Sequence, residues 1–194
     1  MGTTAKKMGN GFTYNDYVKW PDDERWEIIG GEAYAMTPAP TIRHQKMSMY
    51  LSTQFANFFK GKGCEPFHAP TDVVFDEQNI VQPDLLVVCD QNKITEKNIQ
   101  GAPDLVVEIL SPSTALKDKR EKRALYERFG VQEYLIVYPA EELVERFALA
   151  DGRYGIADVF GWDEVLSSAI FPELRLNLWD VFDKQPPQRE TVEA

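Results

Sequence analysis

The chain predicts a mixed α+β domain, in which a mixed sheet is flanked by helices. Three observations carry that prediction. One long amphipathic segment lies near 41–60, and short apolar runs replace it after residue 65. A second helical segment, near 113–129, falls between two of those runs, so strands and helices belong to one packed unit.

In chain order, the first twelve residues are rich in Gly, Lys and Thr and read as a flexible tail. Thr13 is a capping type and opens a short helix over 13–18 that ends before Pro21. Residues 26–36 read as a hairpin, with Gly30 and Gly31 supplying the turn. Pro38 and Pro40 break the chain ahead of the long helix. There Met47, Tyr50, Leu51, Phe55, Phe58 and Phe59 recur at three- and four-residue spacing, which makes one face apolar. Gly61 and Gly63 end it.

Strand-like runs follow at 67–75, 81–89 and 105–110. The next helix runs from about 113 to 129, capped by Ser113 or Thr114 and stopped by Gly130. Residues 133–138 form another apolar strand, closed by Pro139, and 143–149 with 154–159 read as an antiparallel pair around Asp151-Gly152. From Lys184 the chain is polar. The expected organisation is a tail over 1–12, one domain over 13–182 and a tail over 183–194.

Composition narrows the function classes. At 43% hydrophobic and 27% charged, the 194 residues suit a single globular domain with a real core. No run approaches the length of a membrane span, so no membrane partner is expected. Lys6 and Lys7 have no apolar stretch behind them, which argues against a secretory leader. Cys64 and Cys89 suit neither a disulfide framework nor a zinc site, and a reducing cytoplasm is the simplest setting. The net charge of −10 runs against a broad phosphate-gripping face. A nucleic-acid enzyme of this composition needs local positive charge or a metal ion, and its grip should be modest.

The chemistry-bearing feature is Glu108, an acid inside the apolar run Leu105-Val106-Val107-Glu108-Ile109-Leu110. Burying an unpaired carboxylate is costly, so Glu108 must meet a cation or change its protonation state. Asp84 opens the run 85–88, and Lys122 continues the Leu125–Tyr126–Phe129 stripe of the helix one turn earlier. Two carboxylates and one lysine are the parts of a metal-dependent phosphodiesterase site. Magnesium takes hard oxygen ligands, commonly one or two carboxylates with phosphate and water. Each residue also has a plainer reading: Glu108 in a structural ion pair, Asp84 at a strand entry, Lys122 snorkelling at a helix edge.

Pro83-Asp84, the segment from Gly101 to Ser113, and Lys122, Tyr126 and Gly130 to Tyr134 together resemble a known family. It is the family of putative restriction endonucleases abundant in cyanobacteria, within the PD-(D/E)XK nuclease superfamily. Trp26-Glu27 through Gly31-Glu32, and His44, resemble its N-terminal pattern, and the resemblance extends over about 12–182. It implies a restriction-endonuclease-like sheet, dependence on Mg or Mn, a nucleic-acid substrate (DNA first) and a possible homodimer. Asp84 and Glu108 match its metal-binding acids. The superfamily lysine normally stands two residues after the second acid, where this chain has Leu110, and Lys122 from the following helix fits the relocated lysine.

The catalytic set expected from the sequence is therefore Asp84, Glu108 and Lys122, with Asp84 and Glu108 on the metal. A second tier comprises Glu27 as a further ligand or a cross-strand partner, His44 as a base, phosphate contact or helix cap, Gln82 and Ser111 flanking the acids, Lys119 as the rival lysine, and Tyr126. Phe147, Tyr154, Phe160 and Trp162 are candidate dimer contacts. The rival reading is a non-catalytic nuclease-like domain that keeps these charges as a buried network and binds a protein or nucleic-acid partner. A phosphodiesterase acting on a small nucleotide is a third option.

Overall fold

A computed structural model describes residues 9–21, 24–36, 40–111 and 118–188. The short helix α1 (Tyr14–Tyr17) is closed at its start by Asp16, whose Oδ2 accepts from both the backbone N–H and the hydroxyl of Thr13 at 2.9 Å. Strands β1 (Trp26–Ile29) and β2 (Glu32–Ala35) form the expected hairpin. The long helix α2 (Ile42–Phe59) is capped by the Thr41 side chain, which accepts from the His44 N–H.

The run at 67–75 is not one strand. β3 (Glu65–His68) and β4 (Val73–Asp76) lie in different sheets, separated at Pro70, which has no N–H to give a ladder. The run at 81–89 divides in the same way into β5 (Asn79–Val81) and β6 (Leu85–Val88), with Pro83 between them. After β7 (Ile99–Gln100) and β8 (Leu105–Ile109), a π-helical turn over Asp118–Lys122 leads into α3 (Arg123–Phe129). Ser113 and Thr114, the expected caps, lie outside the described residues. Gly130 ends α3 with φ 83°.

The remaining elements are β9 (Glu133–Tyr138), β10 (Leu143–Ala150), β11 (Arg153–Tyr154), β12 (Asp158–Gly161), β13 (Val165–Ser167), β14 (Arg175–Asn177) and α4 (Leu178–Val181). The run at 154–159 is thus split between β11 and β12, and both pair with β10.

Two sheets matter for the site. The larger has the order β11-β10-β9-β8-β6-β3, with β12 also on β10; the smaller has the order β2-β1-β5-β4-β7. β8 and β9 are parallel while β6 and β8 are antiparallel, so the larger sheet is mixed as the sequence predicts. Strand alternation divides its residues between two cores. Leu105, Val107, Ile109, Leu135 and Val137 pack with Met47, Leu51 and Phe55 of α2. Val106, Tyr134 and Ile136 face the other way, against Leu125 and Tyr126 of α3 and Val73, Phe75 and Val81 of the smaller sheet. The two long-helix segments therefore sit on opposite faces.

At the hairpin, Gly30 and Gly31 have φ of 58° and 76°, the left-handed pair that a two-residue turn requires. A Cβ on Gly31 would stand 3.2 Å from the Gly11 backbone. Gly31→Ala should lower stability by about 1–2 kcal/mol from the left-handed backbone alone. Chemical denaturation checks this, and an unchanged midpoint would contradict it.

Two structural findings revise the sequence reading. Cys64 and Cys89 are bonded to each other, with α-carbons 4.0 Å apart. The β3–β6 register pairs Glu65 with Val88, so the next step outward brings the two cysteines face to face. Strand pairing creates a proximity that their separation of 25 residues does not announce, and the argument for a reducing compartment from unpaired thiols falls. Phe147 and Tyr154 are buried in the chain's own core beside Tyr134, which removes them as dimer contacts, and Phe160 and Trp162 pack against the α2-side core. At the domain edges, Phe12 packs edge-on against Trp20, while Asp183 pairs with Lys46 and Lys184 with Glu142.

Candidate active site

Glu108 is the next-to-last residue of β8 and shares a sheet face with Val106, turned toward α3. It is 4% exposed. The π-helical turn sets the phase of the helix that follows, and turns of this kind occur often at functional sites. It leaves Lys122 and Tyr126, four residues apart, on the buried side. Lys122 Nζ lies 2.8 Å from Glu108 Oε1, and the Tyr126 hydroxyl donates to the same oxygen at 2.6 Å. Burial, and secondarily the charge of Glu108, pushes the Tyr126 phenol well above its ordinary range, so it remains a protonated donor.

The smaller sheet contributes Glu27. It is 0% exposed, and its Oε1 lies 2.8 Å from Lys122 Nζ. The same oxygen accepts the backbone N–H of Gln82 at 3.0 Å. Lys122 thus bridges acids from two different sheets. An ammonium with 2% residual exposure needs such partners, since removing a charge from water is repaid only by close opposite charge and hydrogen bonds.

Asp84 stands one step beyond the Leu85–Val107 pair of β6 and β8, which is the position opposite Glu108. Residues opposite one another in an antiparallel pair share a face, so the two carboxylates lie on the same side of the sheet. Asp84 Oδ2 accepts the Ile109 N–H at 2.7 Å and meets His44 Nε2 at 3.3 Å. His44, in the first turn of α2, is carried to the sheet end by that helix's packing. Its own N–H is also the group capped by Thr41, so it is both a cap element and a cleft residue. Ser111 follows β8 and is half-buried. Lys119 is exposed, with its ammonium 4.5 Å over the Tyr138 ring, which separates it from the acids that engage Lys122.

Gln82 does more than flank the acids. Its side-chain oxygen accepts from Arg25 Nε at 2.9 Å and from Nη2 at 2.6 Å. Its amide nitrogen donates to Asp72 Oδ1 at 2.7 Å and to the Tyr17 hydroxyl at 3.2 Å. Tyr17 also donates to Asp72 at 2.9 Å, and burial followed by the Asp72 charge raises its phenol pKa. Arg25, Tyr17 and Asp72 were not among the residues singled out from sequence. The nearest signal was Glu27 itself, an acid between Trp26 and Ile28-Ile29.

The donor set suits a hard divalent ion. Asp84 and Glu108 supply carboxylate oxygens on one face, and Asp84 Oδ1 makes no hydrogen bond among the described residues. Among the described residues no group of three or more His, Cys, Asp or Glu converges to hold a metal. Magnesium does not require such a group, because it commonly keeps several waters and binds through one or two carboxylates and substrate phosphate.

Comparison with known proteins agrees with this architecture. A crystal structure of a protein from Anabaena variabilis, titled a putative nuclease belonging to DUF820, superposes with a TM-score of 0.74 at 21% identity. The match covers 89% of this chain and 98% of that one, and it shows the fold. Two uncharacterized proteins of Synechocystis are also similar. One is 34% identical over 126 residues, spanning 63% of this chain and 66% of that protein. The other is 24% identical over 143 residues, spanning 71% and 80%. The model of the Uma2 family, described as putative restriction endonuclease, matches residues 14–179, a stretch that includes both sheets and every residue of the cluster, and the chain belongs to that family.

Proposed function

We propose that the chain is a divalent-metal-dependent nuclease that hydrolyses phosphodiester bonds of DNA. The observation that supports this most directly is the buried ammonium of Lys122 between Glu27 and Glu108, with Asp84 opposite Glu108 on the same sheet face. Asp84 and Glu108 would hold Mg or Mn, which when bound neutralises phosphate charge and acidifies a coordinated water. Lys122, fixed by Glu27 and by Glu108, orients the attacking water and steadies charge building on the phosphate. Tyr126 holds Glu108 in place, and the Gln82 backbone N–H holds Glu27. In the reaction the water oxygen bonds to phosphorus and the bond to the leaving sugar oxygen breaks. The water's proton passes to a base, for which His44 beside Asp84 is placed, and the leaving oxygen takes a proton from solvent.

A cytoplasmic setting and two copies acting on one duplex belong to this reading through the family resemblance alone, since the cysteines are paired and Phe147 and Tyr154 are buried in the core. Among the described residues no helix is long and apolar enough to cross a membrane. With 21 basic and 31 acidic side chains, binding should be modest and salt-sensitive. The same acidic balance favours a second reading, a non-catalytic nuclease-like domain whose buried charges only hold the sheets together around a partner site.

Supercoiled plasmid and labelled oligonucleotides with Mg or Mn separate the two. Cleavage that a chelator stops and that Asp84→Asn loses, with folding intact by circular dichroism, is the expected result. A folded wild-type protein that cuts nothing with either metal would establish the second reading.

A further inference from the structure

Arg25 is held differently from Arg43 and Arg146, two arginines elsewhere on this fold. Arg43 pairs with Glu142 and Arg146 with Asp158. Arg25, half-buried, makes no ion pair among the described residues and instead places two of its donors on the neutral oxygen of Gln82. The acid before it, Glu24, accepts from the Trp26 ring nitrogen, and the acid after it, Glu27, belongs to Lys122 and the Gln82 backbone. In a chain with ten more acids than bases, a guanidinium held by an amide is a selective arrangement.

The amide is itself held in one orientation. Asp72 accepts from the Gln82 nitrogen at 2.7 Å, which fixes the Gln82 oxygen toward Arg25. A neutral partner orients the guanidinium without neutralising it, so its charge stays available to an anion. The location is also informative. β1 and β5 pair antiparallel with Ile28 opposite Ile80, and continuing that register brings Arg25 beside Pro83, the residue before Asp84. Arg25 and Glu27 have the same strand parity and so share a side of β1.

We propose that Arg25 binds a non-bridging oxygen of a backbone phosphate in the DNA strand being cut, next to the phosphodiester held at Asp84 and Glu108. Gln82 acts as the positioning residue for that contact. Gln82 takes the Nε and one Nη2 donor, which leaves the remaining Nη donors for a phosphate oxygen, and one local cation supplies grip that the overall acidic charge does not. The inference rests on the nuclease reading and deepens it.

The test uses a short fluorescein-labelled DNA duplex, with calcium replacing magnesium so that binding is read without cutting, across a series of salt concentrations. Arg25→Gln should weaken binding at low salt, flatten the slope of log K against log salt by about one phosphate contact, and lower magnesium-supported cleavage about tenfold or more. Arg25→Lys keeps a cation but not the fork on Gln82, so the slope should stay near that of the wild type while cleavage falls. If Arg25→Gln does not fold, the lysine variant decides alone: cleavage at the wild-type level overturns the inference. An unchanged salt slope in folded Arg25→Gln overturns it too, while leaving the nuclease reading intact. A wild-type chain that neither binds nor cuts the duplex removes both.

Discussion

Lys122→Met should lose about 3–5 kcal/mol of folding stability at neutral pH, because removing one member of a buried ion pair leaves its partners without their compensating charge. For a chain of this size that is a drop in melting temperature of roughly 6–20 °C. The partners are Glu27 and Glu108, both within 2.8 Å of the ammonium in the native protein. Without the cation between them, one carboxylate is driven toward its protonated form, which raises its folded pKa above the unfolded value. The folded variant then keeps a proton that the unfolded chain releases. Its stability is therefore highest in acid and falls as pH rises from the ordinary glutamate range toward the raised value. Thermal melts of both proteins from about pH 4 to about pH 8 give the comparison. A deficit of the same size at every pH would mean that Lys122 contributes packing and not charge.

The second large effect is on turnover. Glu108→Gln keeps an oxygen able to accept from Tyr126 and Lys122, whose contacts at 2.6 and 2.8 Å define the site, and removes only the negative charge. Metal-supported plasmid cleavage should fall by about 10³-fold, at the upper end of what losing one electrostatic element of a site removes. The melting temperature should move far less than in Lys122→Met, since no ammonium is left bare of acceptors. Cleavage within a few-fold of the wild type, by the same preparation and under the same metal, would show that Glu108 holds structure and takes no part in chemistry. Running both variants side by side separates loss of fold from loss of reaction.

The sequence carried the elements whose signals are periodic and local. The spacing from Met47 to Phe59 marks α2, and Met47, Leu51, Phe55 and Phe59 form its buried face, while Tyr50 and Phe58 are half-buried at its edge. The Gly30-Gly31 turn and the Gly130 stop follow from backbone conformations that side chains resist. Boundaries between strands were harder. Apolar residues resume within a residue or two of the polar breaks at Pro70-Thr71-Asp72 and Gln82-Pro83-Asp84, and such a short break does not tell that β3 and β4, or β5 and β6, enter different sheets. The candidate site divides the same way. Glu108 and Lys122 stand out because each interrupts or extends an apolar stripe. Glu27 ranked lower because β1 is only four residues long and Trp26, Ile28 and Ile29 give no clear alternation. Arg25 and Gln82, 57 residues apart, meet only after the smaller sheet has formed. The disulfide was hidden for the same reason, being a product of strand register and not of cysteine spacing.

The link from Glu27 through Lys122 to Glu108 has a mechanical side. It is a rivet through three layers: one plate carries Glu27, another carries Glu108, and the helical cover supplies the pin. Heating that lets the plates slide relative to each other would part the acids before either plate loses its own ladder of strands. Thermal inactivation should then run ahead of the melting of secondary structure, with the gap between the two curves measuring how tightly the rivet is set.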